Sequence, residues 1–354
     1  MAETLGATRP HEVFVPADET QALPVRPAAD WQAHRFAGTA MGTSWAVKAW
    51  APAGATGEAL QAAIHAQLQR TVDLFSHWHA HSEIGRFNDA PAGAFGFSEA
   101  AWPVIERSLA LAQATQGAVD PTLGALIDLW GFGPAGPREP PDAAVPDAAR
   151  INAALQVSGW QRVRVDAATR SLHKPAGLRL DLGGIAKGWA VDQVSAALLR
   201  AGAAVHLVEV GGELKARGLK PDLQPWWVEL ESPSSEARPR EDGRRSLLAL
   251  VDAAIATSGD GQRHFEHEGQ RLAHTLDGRT GCPAGHGIAT VSVLHASAME
   301  ADALATALTV MGLTRALAWT AHNGLAARIT VRGAQGLSHH LSPAMQALRC
   351  TQEA

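Results

Sequence analysis

Hydrophobic and polar positions alternate along this chain with two different periods. Over residues 43–50 the apolar residues Trp45, Val47 and Ala49 fall at every second position, a period that is typical of strands. Over residues 57–75 they recur every three to four positions, which predicts an amphipathic helix. The apolar positions of that helix are Leu60, Ile64, Leu68, Val72 and Phe75.

The same two periods predict helices and strands in alternation along the rest of the chain. Further helices are expected over residues 98–116, 148–158, 190–199 and 301–308, the first of them capped by Ser98. Two strands are expected around a glycine-rich turn at residues 38–42. The other expected strands are 162–166, 172–174, 177–180, 204–210, 226–230, 247–251, 253–257, 288–294, 316–319 and 326–331.

The ends of the chain lack this periodicity. Residues 1–33 are polar, contain proline and show no repeating apolar positions, so we expect a mobile N-terminal arm. A single domain is expected over residues 34–345, followed by a polar tail at residues 346–354. Residues 232–245, rich in proline, serine and charge, are expected to form an exposed loop.

One stretch, residues 181–192, has the arrangement of a phosphate-binding turn. An apolar run ends at Asp181, and Gly183 and Gly184 are followed by Lys187 and the predicted helix. Glycines let a ligand approach the backbone, and a helix N-terminus favours a negative charge. The stretch is not a Walker A loop, because Ala186 precedes the lysine and no Ser or Thr follows it directly. The alternative is a tight turn with a solvated lysine.

Composition narrows the class of protein. The net charge is −5, which argues against a dedicated nucleic-acid binder. The two cysteines, Cys282 and Cys350, exclude a disulfide framework as the basis of stability. Neither a membrane-spanning apolar run nor a signal-peptide pattern is visible, so we expect a cytoplasmic protein as the sequence stands. A periplasmic or membrane-associated protein is the alternative if a leader is missing.

Two other motifs could indicate a binding site, a group of three histidines and a glycine-rich match. His77, His79 and His81 would share one face of a strand and form a metal cluster, although a polar surface turn explains them more simply. A G-x-G-x-x-G match at residues 131–136 is discounted. The dinucleotide-binding motif opens a helix, whereas the prolines that follow here indicate a loop.

Polar residues are concentrated in one short turn near residue 277. His274 and Asp277 lie there together with Arg279 and Thr280.

An acid and a hydroxyl stand out in the last apolar helix. Asp302 and Thr306 are four residues apart and therefore share one helix face. Hard oxygen ligands of this kind suit Mg²⁺. The alternative is an ordinary acidic residue that is favoured near a helix N-terminus.

Taken in order, these blocks resemble the ApbE-type FAD:protein FMN transferases. The resemblance extends from about Phe36 to Gly312 and includes eight motifs in the family's order. The motifs lie at residues 38–42, 76–88, 117–124, 181–192, 210–213, 257–260, 274–283 and 302–306. An ApbE-like (T-fold-like) α+β fold is expected, with a mixed, largely antiparallel sheet core flanked by helices.

The resemblance implies a function. Such proteins use FAD as substrate with Mg²⁺ and transfer its FMN moiety to a Ser or Thr hydroxyl of an acceptor flavoprotein, forming a phosphoester and releasing AMP. Acceptors of this kind include subunits of membrane-associated redox complexes. The alternatives are an FAD pyrophosphatase that yields FMN and AMP, and a non-catalytic FAD-binding protein.

The resemblance also implies site residues. Gly184, through its carbonyl oxygen, Asp302 and Thr306 would hold the Mg²⁺. The flavin nucleotide would contact Met41, Trp78, Ala118, Val119, Asp120, Asp181, Lys187, His274 and Leu276. Four positions depart from the family's usual residues, with Trp78 in place of Tyr, Glu213 in place of Asp, Gly261 in place of Tyr and Gly278 in place of Pro.

A hydroxyl that attacks phosphorus needs a proton acceptor. His274 is the first candidate, because an unperturbed imidazole titrates near neutral pH. Asp277 or Asp181 could orient this histidine or serve in its place. We therefore expect His274 and Asp277 as catalytic residues.

Overall fold

A computed structural model describes residues 12–16, 24–134, 136, 145–231, 245–261, 264–267, 270–334 and 336–350. The strands of this part of the chain are β1 (Glu12–Phe14), β2 (Gln32–Ala40), β3 (Thr43–Ala51), β4 (Gly93–Gly96), β5 (Arg164–Asp166), β6 (Ser171–Lys174), β7 (Val205–Val210), β8 (Glu213–Arg217), β9 (Trp226–Glu229), β10 (Ser246–Leu250), β11 (Ala254–Gly259), β12 (His264–His267), β13 (Gln270–Ala273), β14 (Leu276–Asp277), β15 (Cys282–Pro283), β16 (Ile288–His295), β17 (Ala326–Gly333) and β18 (Gly336–Leu341). The helices are α1 (Gly57–Phe75), α2 (Glu83–Asp89), α3 (Trp102–Ala114), α4 (Gly124–Leu129), α5 (Ala148–Val157), α6 (Ala186–Arg200), α7 (Ala298–Met311), α8 (Leu313–Asn323) and α9 (Pro343–Ala347).

The largest sheet has eight strands in the order β18-β17-β16-β11-β8-β7-β3-β2. Every neighbouring pair in it is antiparallel. Among the described strands, β1 pairs in parallel, with β10 in a smaller three-stranded sheet. The predicted fold class, an α+β protein with a largely antiparallel sheet, is confirmed.

The two faces of the large sheet are covered differently. On one face α1 and α6 pack their apolar stripes against β3 and β7, for example Ile64 and Val194 against Val47 and Val208. On the other face the three-stranded sheet and α9 bury Phe14 and Leu248 against the opposite side of β7 and β11. Alternating apolar residues along β7 therefore serve two separate cores.

Helices α6 and α7 approach each other closely at Gly188. A Cβ atom at this position would lie 2.2 Å from the carbonyl oxygen of Ala298 and 2.8 Å from Cβ of Asp302. The Gly188 N–H donates a hydrogen bond of 2.9 Å to Asp302 Oδ2. A glycine in α6 is therefore what places Asp302 of α7 against the start of α6.

The N-terminus of α7 is fixed by Asp192 of α6. The two carboxylate oxygens of Asp192 accept hydrogen bonds from the Ser297 hydroxyl at 2.7 Å and from the backbone N–H groups of Ala298 and Met299 at 3.2 and 3.1 Å. Lys215 of β8 donates to the same carboxylate at 2.6 Å. One side chain thus joins α6, α7 and β8, and we call it the Asp192 bracket.

Several predicted elements differ from the structure. Residues 316–319, expected as a strand, lie inside α8, because Ala316 and Thr320 are buried one turn apart and Gly324 ends the helix with φ 63°. Residues 177–180, also expected as a strand, contribute one isolated bridge, from Arg179 to Leu123. Helix α3 begins at Trp102 rather than at residue 98, because the Ser98 hydroxyl and N–H both bind the Glu83 carboxylate.

The predicted arm and tail are partly structured. Glu12–Phe14 form β1, and Phe14 is completely buried, so a mobile arm does not describe these residues. Residues 32 and 33 already belong to β2, and α9 crosses the predicted start of the tail. Residues 1–11, 17–23, 232–244 and 351–354 lie outside the described part, and the division into arm, domain and tail stays a prediction. No helix among the described residues is long and apolar enough to cross a membrane.

Candidate active site

A cavity of about 690 Å³ lies where the glycine turn before α6 meets α7 and the end of α1. It collects residues that are far apart in the sequence. Every predicted site residue except Asp277 lines it, namely Met41, Trp78, Ala118, Val119, Asp120, Asp181, Gly184, Lys187, His274, Leu276, Asp302 and Thr306. Twelve positions chosen from the sequence therefore surround one space.

Asp181 anchors the glycine turn. Its Oδ1 accepts the N–H of Gly183 at 2.7 Å, and its Oδ2 lies 2.9 Å from Nδ1 of His77. Burial raises the pKa of this carboxyl, but the charge and hydrogen bond of His77 and the Gly183 N–H outweigh it, so the pKa is lowered. Asp181 is therefore ionised near neutral pH.

The predicted metal ligands are neighbours in space. A Cβ atom at Gly184 would lie 3.0 Å from Oγ1 of Thr306, so the glycine turn rests directly on α7. Asp302 is 4% exposed, and Thr306 follows it one helical turn later. Carboxylate, hydroxyl and carbonyl oxygens are the donor types that Mg²⁺ prefers, so the residues present fit this ion.

The sequence offered a histidine cluster as another metal site. Across the described ranges no group of three or more His, Cys, Asp or Glu residues could hold a metal ion. Instead His77 pairs with Asp181, while His79 and His81 are exposed. The set at Gly184, Asp302 and Thr306 contains a single carboxylate, so oxygens of a bound ligand would have to complete a metal's coordination.

Lys187 and Glu213 form an ion pair at the wall of the cavity. Glu213 is 1% exposed, and within the described part of the chain its Oε2 has no hydrogen-bond partner. Burial raises the pKa of Glu213 to about 8, with the neighbouring Asp302 adding to the effect and Lys187 opposing it. Burial likewise raises the pKa of Asp302. At this wall of the cavity one lysine, Lys187, therefore faces two buried carboxyl groups.

Apolar side chains also line the cavity. Its walls include Val72, Phe75, Leu111, Ile127 and Phe132. Trp78 is 47% exposed, and its ring centroid lies 5.6 Å from that of His77. Apolar walls suit a flat aromatic ring system, whereas a glycine turn before a helix suits phosphate.

Asp120 lines the cavity but also has a structural role. Its Oδ1 accepts hydrogen bonds from the N–H and hydroxyl of Thr122 at 2.8 and 2.6 Å, and its Oδ2 accepts the N–H of Trp160 at 3.1 Å. Burial raises the pKa of this carboxyl against those hydrogen bonds. Asp120 thus holds the loop that carries Ala118 and Val119.

His274 lines the cavity, whereas Asp277 does not. The His274 ring lines the cavity, 6.2 Å from the ring of Phe132. Asp277 is 4% exposed and is held by the Arg279 side chain at 2.7 and 2.9 Å and by the Arg279 N–H at 2.9 Å. These bonds close the turn between β14 and β15, because an Asp side chain readily binds the backbone two residues on. The position of Asp277 therefore gives no support to the catalytic role predicted for it.

Two further cavity residues were not assigned a role from the sequence. His77 was considered with its neighbouring histidines, and Glu213 was noticed as a departure from the family's usual residue. Both lie inside recognised motifs, yet their partners, Asp181 and Lys187, are 104 and 26 residues away in the chain. Spacing in the sequence carries no signal for such pairs.

A glycine turn before a helix, an acid–hydroxyl pair and apolar walls around one cavity of an α+β protein are the features expected of a nucleotide-binding protein. The particular family follows from comparison: the model described as "ApbE family" matches residues 41–329, and this chain belongs to that family.

Its relatives have consistent names. The FAD:protein FMN transferase of Vibrio cholerae is 35% identical over 309 residues, covering 87% of this chain and 90% of the relative. That of Klebsiella pneumoniae is 34% identical over 310 residues, covering 86% of each. The crystal structure of the Pseudomonas stutzeri flavinyl transferase ApbE, in its apo form, superimposes with a TM-score of 0.81 at 35% identity, covering 90% of this chain and 97% of that one.

Proposed function

We propose that this protein transfers the FMN moiety of FAD to a Ser or Thr hydroxyl of an acceptor flavoprotein. The relatives named FAD:protein FMN transferase support the reaction. The observation that carries it is the cavity itself, which is lined by apolar side chains as well as by a glycine turn and an acid–hydroxyl pair. FAD needs both kinds of lining, because it contains an aromatic ring system and a pyrophosphate.

The reaction is a displacement at phosphorus. The acceptor oxygen forms a bond to the FMN phosphorus, the bond to the bridging oxygen breaks, and AMP leaves with the electron pair. The protein has little covalent work to do and acts by positioning and charge stabilisation. Lys187 lines the cavity beside the glycine turn, and its ammonium is suited to that task.

The charge balance of the site supports a divalent cation. The cavity is lined by Asp120, Asp181, Glu213, Glu231 and Asp302, and the ion pairs that the described residues form there are those of Asp181 with His77 and of Glu213 with Lys187. A pyrophosphate carries further negative charge and would be repelled. We therefore propose that Gly184, Asp302 and Thr306 hold Mg²⁺, which supplies positive charge to the phosphate oxygens.

The attacking hydroxyl must lose a proton. His274 lines the cavity and stays our candidate for the acceptor of that proton. The released proton would pass from the hydroxyl to the imidazole as the new phosphorus–oxygen bond forms. Asp181 contacts His77 and accepts the Gly183 N–H, so we propose that it anchors the turn.

Incubation with FAD, Mg²⁺ and candidate acceptor flavoproteins tests the proposal. The acceptor should gain the mass of FMN less one water, measured on the intact protein, and AMP should appear in equal amount. Changing the acceptor's Ser or Thr to Ala should abolish both signals. FMN and AMP free in solution would indicate a pyrophosphatase, and intact FAD after prolonged incubation would indicate a binding protein. Acceptors from membrane-associated redox complexes belong in the panel.

A further inference from the structure

Three charged side chains from different elements meet at the wall of the cavity. Lys187 lies in the first turn of α6, Glu213 is the first residue of β8, and Asp302 lies in α7. Both carboxyl groups are almost completely buried, at 1% and 4% exposed. One lysine therefore faces two buried acids, while the third acid that it faces in this cavity, Glu231, is exposed. The position of the lysine decides which buried acid it neutralises.

The structure places the lysine on Glu213. Lys187 Nζ donates to Oε1 of Glu213, whereas Oδ2 of Asp302 accepts the N–H of Gly188. The lysine stem runs past Gly211, where a Cβ atom would lie 3.4 Å from Cδ of Lys187. Gly211 has a φ of 60°, so its conformation also favours glycine. The turn between β7 and β8 thus provides both the path for the lysine and the carboxyl group that receives it.

A lysine held by Asp302 would have a direct consequence for cation binding. An ammonium group beside that carboxylate would offset its charge and compete with a divalent cation for the same oxygens. We propose that Glu213 is a positioning residue, whose carboxyl group holds the Lys187 ammonium at the β7–β8 turn and keeps Asp302 available to a divalent cation. This inference rests on the metal site of the proposed function.

The electrostatics of the cluster agree with this role. The pKa of Glu213 is raised by burial and by Asp302, and Lys187 lowers the pKa of both acids. The cluster therefore has one carboxyl group more than its lysine can neutralise. A divalent cation would offset the charge of Asp302, provided that Lys187 stays paired with Glu213.

Titration calorimetry with Mg²⁺ alone tests the inference on the full-length protein. We would work at about pH 8.5, above the pKa of Glu213, so that glutamine does not simply mimic the protonated acid. Glu213→Gln should weaken Mg²⁺ binding about tenfold or more, because Lys187 moves to Asp302. Lys187→Met should bind Mg²⁺ more tightly than the parent protein.

The double variant separates positioning from simple loss of charge. In the Lys187→Met background, Glu213→Gln should change Mg²⁺ affinity by less than about threefold, since no lysine remains to move. An equal loss in both backgrounds would show that Glu213 acts through its own charge and would overturn the inference. No loss from Glu213→Gln alone would overturn it as well.

Controls keep this outcome apart from failure of the metal site. Glu209→Gln is the matched control. Glu209 accepts the N–H of Gly212 at the same β7–β8 turn but does not line the cavity, so this change should leave Mg²⁺ affinity unchanged. Asp302→Asn should abolish binding; if it does not, the proposed metal site is wrong and the inference falls with it. Glu213→Asp should restore affinity to within about threefold, because the charge that holds the lysine is kept. Thermal unfolding of each variant confirms that it is folded.

Discussion

Replacing Gly188 by alanine adds one methyl group at the contact between α6 and α7. The new carbon would lie 2.2 Å from the carbonyl oxygen of Ala298 and 2.8 Å from Cβ of Asp302. Both neighbours belong to the first turns of α7, and neither is the end of a flexible side chain. The helices must therefore separate, and Asp302 must move with α7.

The size of the effect follows from those distances. An ordinary contact begins at 3.4 Å, so the Ala298 carbonyl must shift by about 1 Å. Overpacking of this kind costs about 1–3 kcal/mol, which the higher helix propensity of alanine offsets by about 1 kcal/mol. Stability should therefore fall by only about 0–2 kcal/mol. A displacement of about 1 Å in a catalytic group, however, can cost about a hundredfold in rate.

Two measurements on the same sample check this reasoning. AMP release with FAD and an acceptor should fall about a hundredfold in Gly188→Ala, while the urea midpoint changes little. Gly54→Ala is the matched control, because a Cβ atom there would meet nothing within 4 Å. If Gly188→Ala turns over at the parent rate, the contact at Gly188 does not set the position of Asp302.

Three further predictions concern single side chains. Asp302→Asn should abolish Mg²⁺-dependent turnover, and normal turnover would exclude the proposed metal site. The unfolding temperature of this variant should be unchanged or higher, because burial disfavours the charge that is removed. His274→Gln should lower kcat by about a hundred- to ten-thousandfold with little change in FAD affinity; a loss of affinity at unchanged kcat would make it a binding residue. In EDTA, stability should fall as pH rises from about 4.5 to about 8, because folded Glu213 retains a proton that the unfolded chain has lost. Urea midpoints should show this slope flattened in Glu213→Gln, and an equal slope in both proteins would contradict the assigned pKa.

Elements with a long, regular apolar pattern could be predicted from the sequence. Helix α1 has the bounds that its apolar spacing indicates, Gly57–Phe75. Helix α8 was missed, because a short amphipathic segment resembles a strand until its packing partners are known. Helix α2 was also missed, since its seven residues hold the buried Ile84 and Phe87 but span fewer than two full turns.

Residues that line the cavity could be chosen from the sequence, but the contacts between them could not. Short motifs identify Asp181, Lys187, Asp302 and Thr306, because glycines and isolated polar residues in apolar runs are visible in the sequence. The pairing of Lys187 with Glu213 depends on how β8 lies beside α6, which no local pattern encodes. The catalytic role of Asp277 stays a prediction that its position does not support, since a turn and a catalytic centre use the same residue types.

The Asp192 bracket has a consequence for engineering this enzyme. One carboxylate ends the motif that begins at Asp181 and also starts the helix that carries Asp302 and Thr306. Segments 181–192 and 297–306 therefore depend on each other structurally, although more than a hundred residues separate them in the chain. A chimera that takes only one of these segments from a relative would disturb the hydrogen bonds between Asp192 and the start of α7. A chimera that takes both segments from the same relative would keep that relative's own contacts.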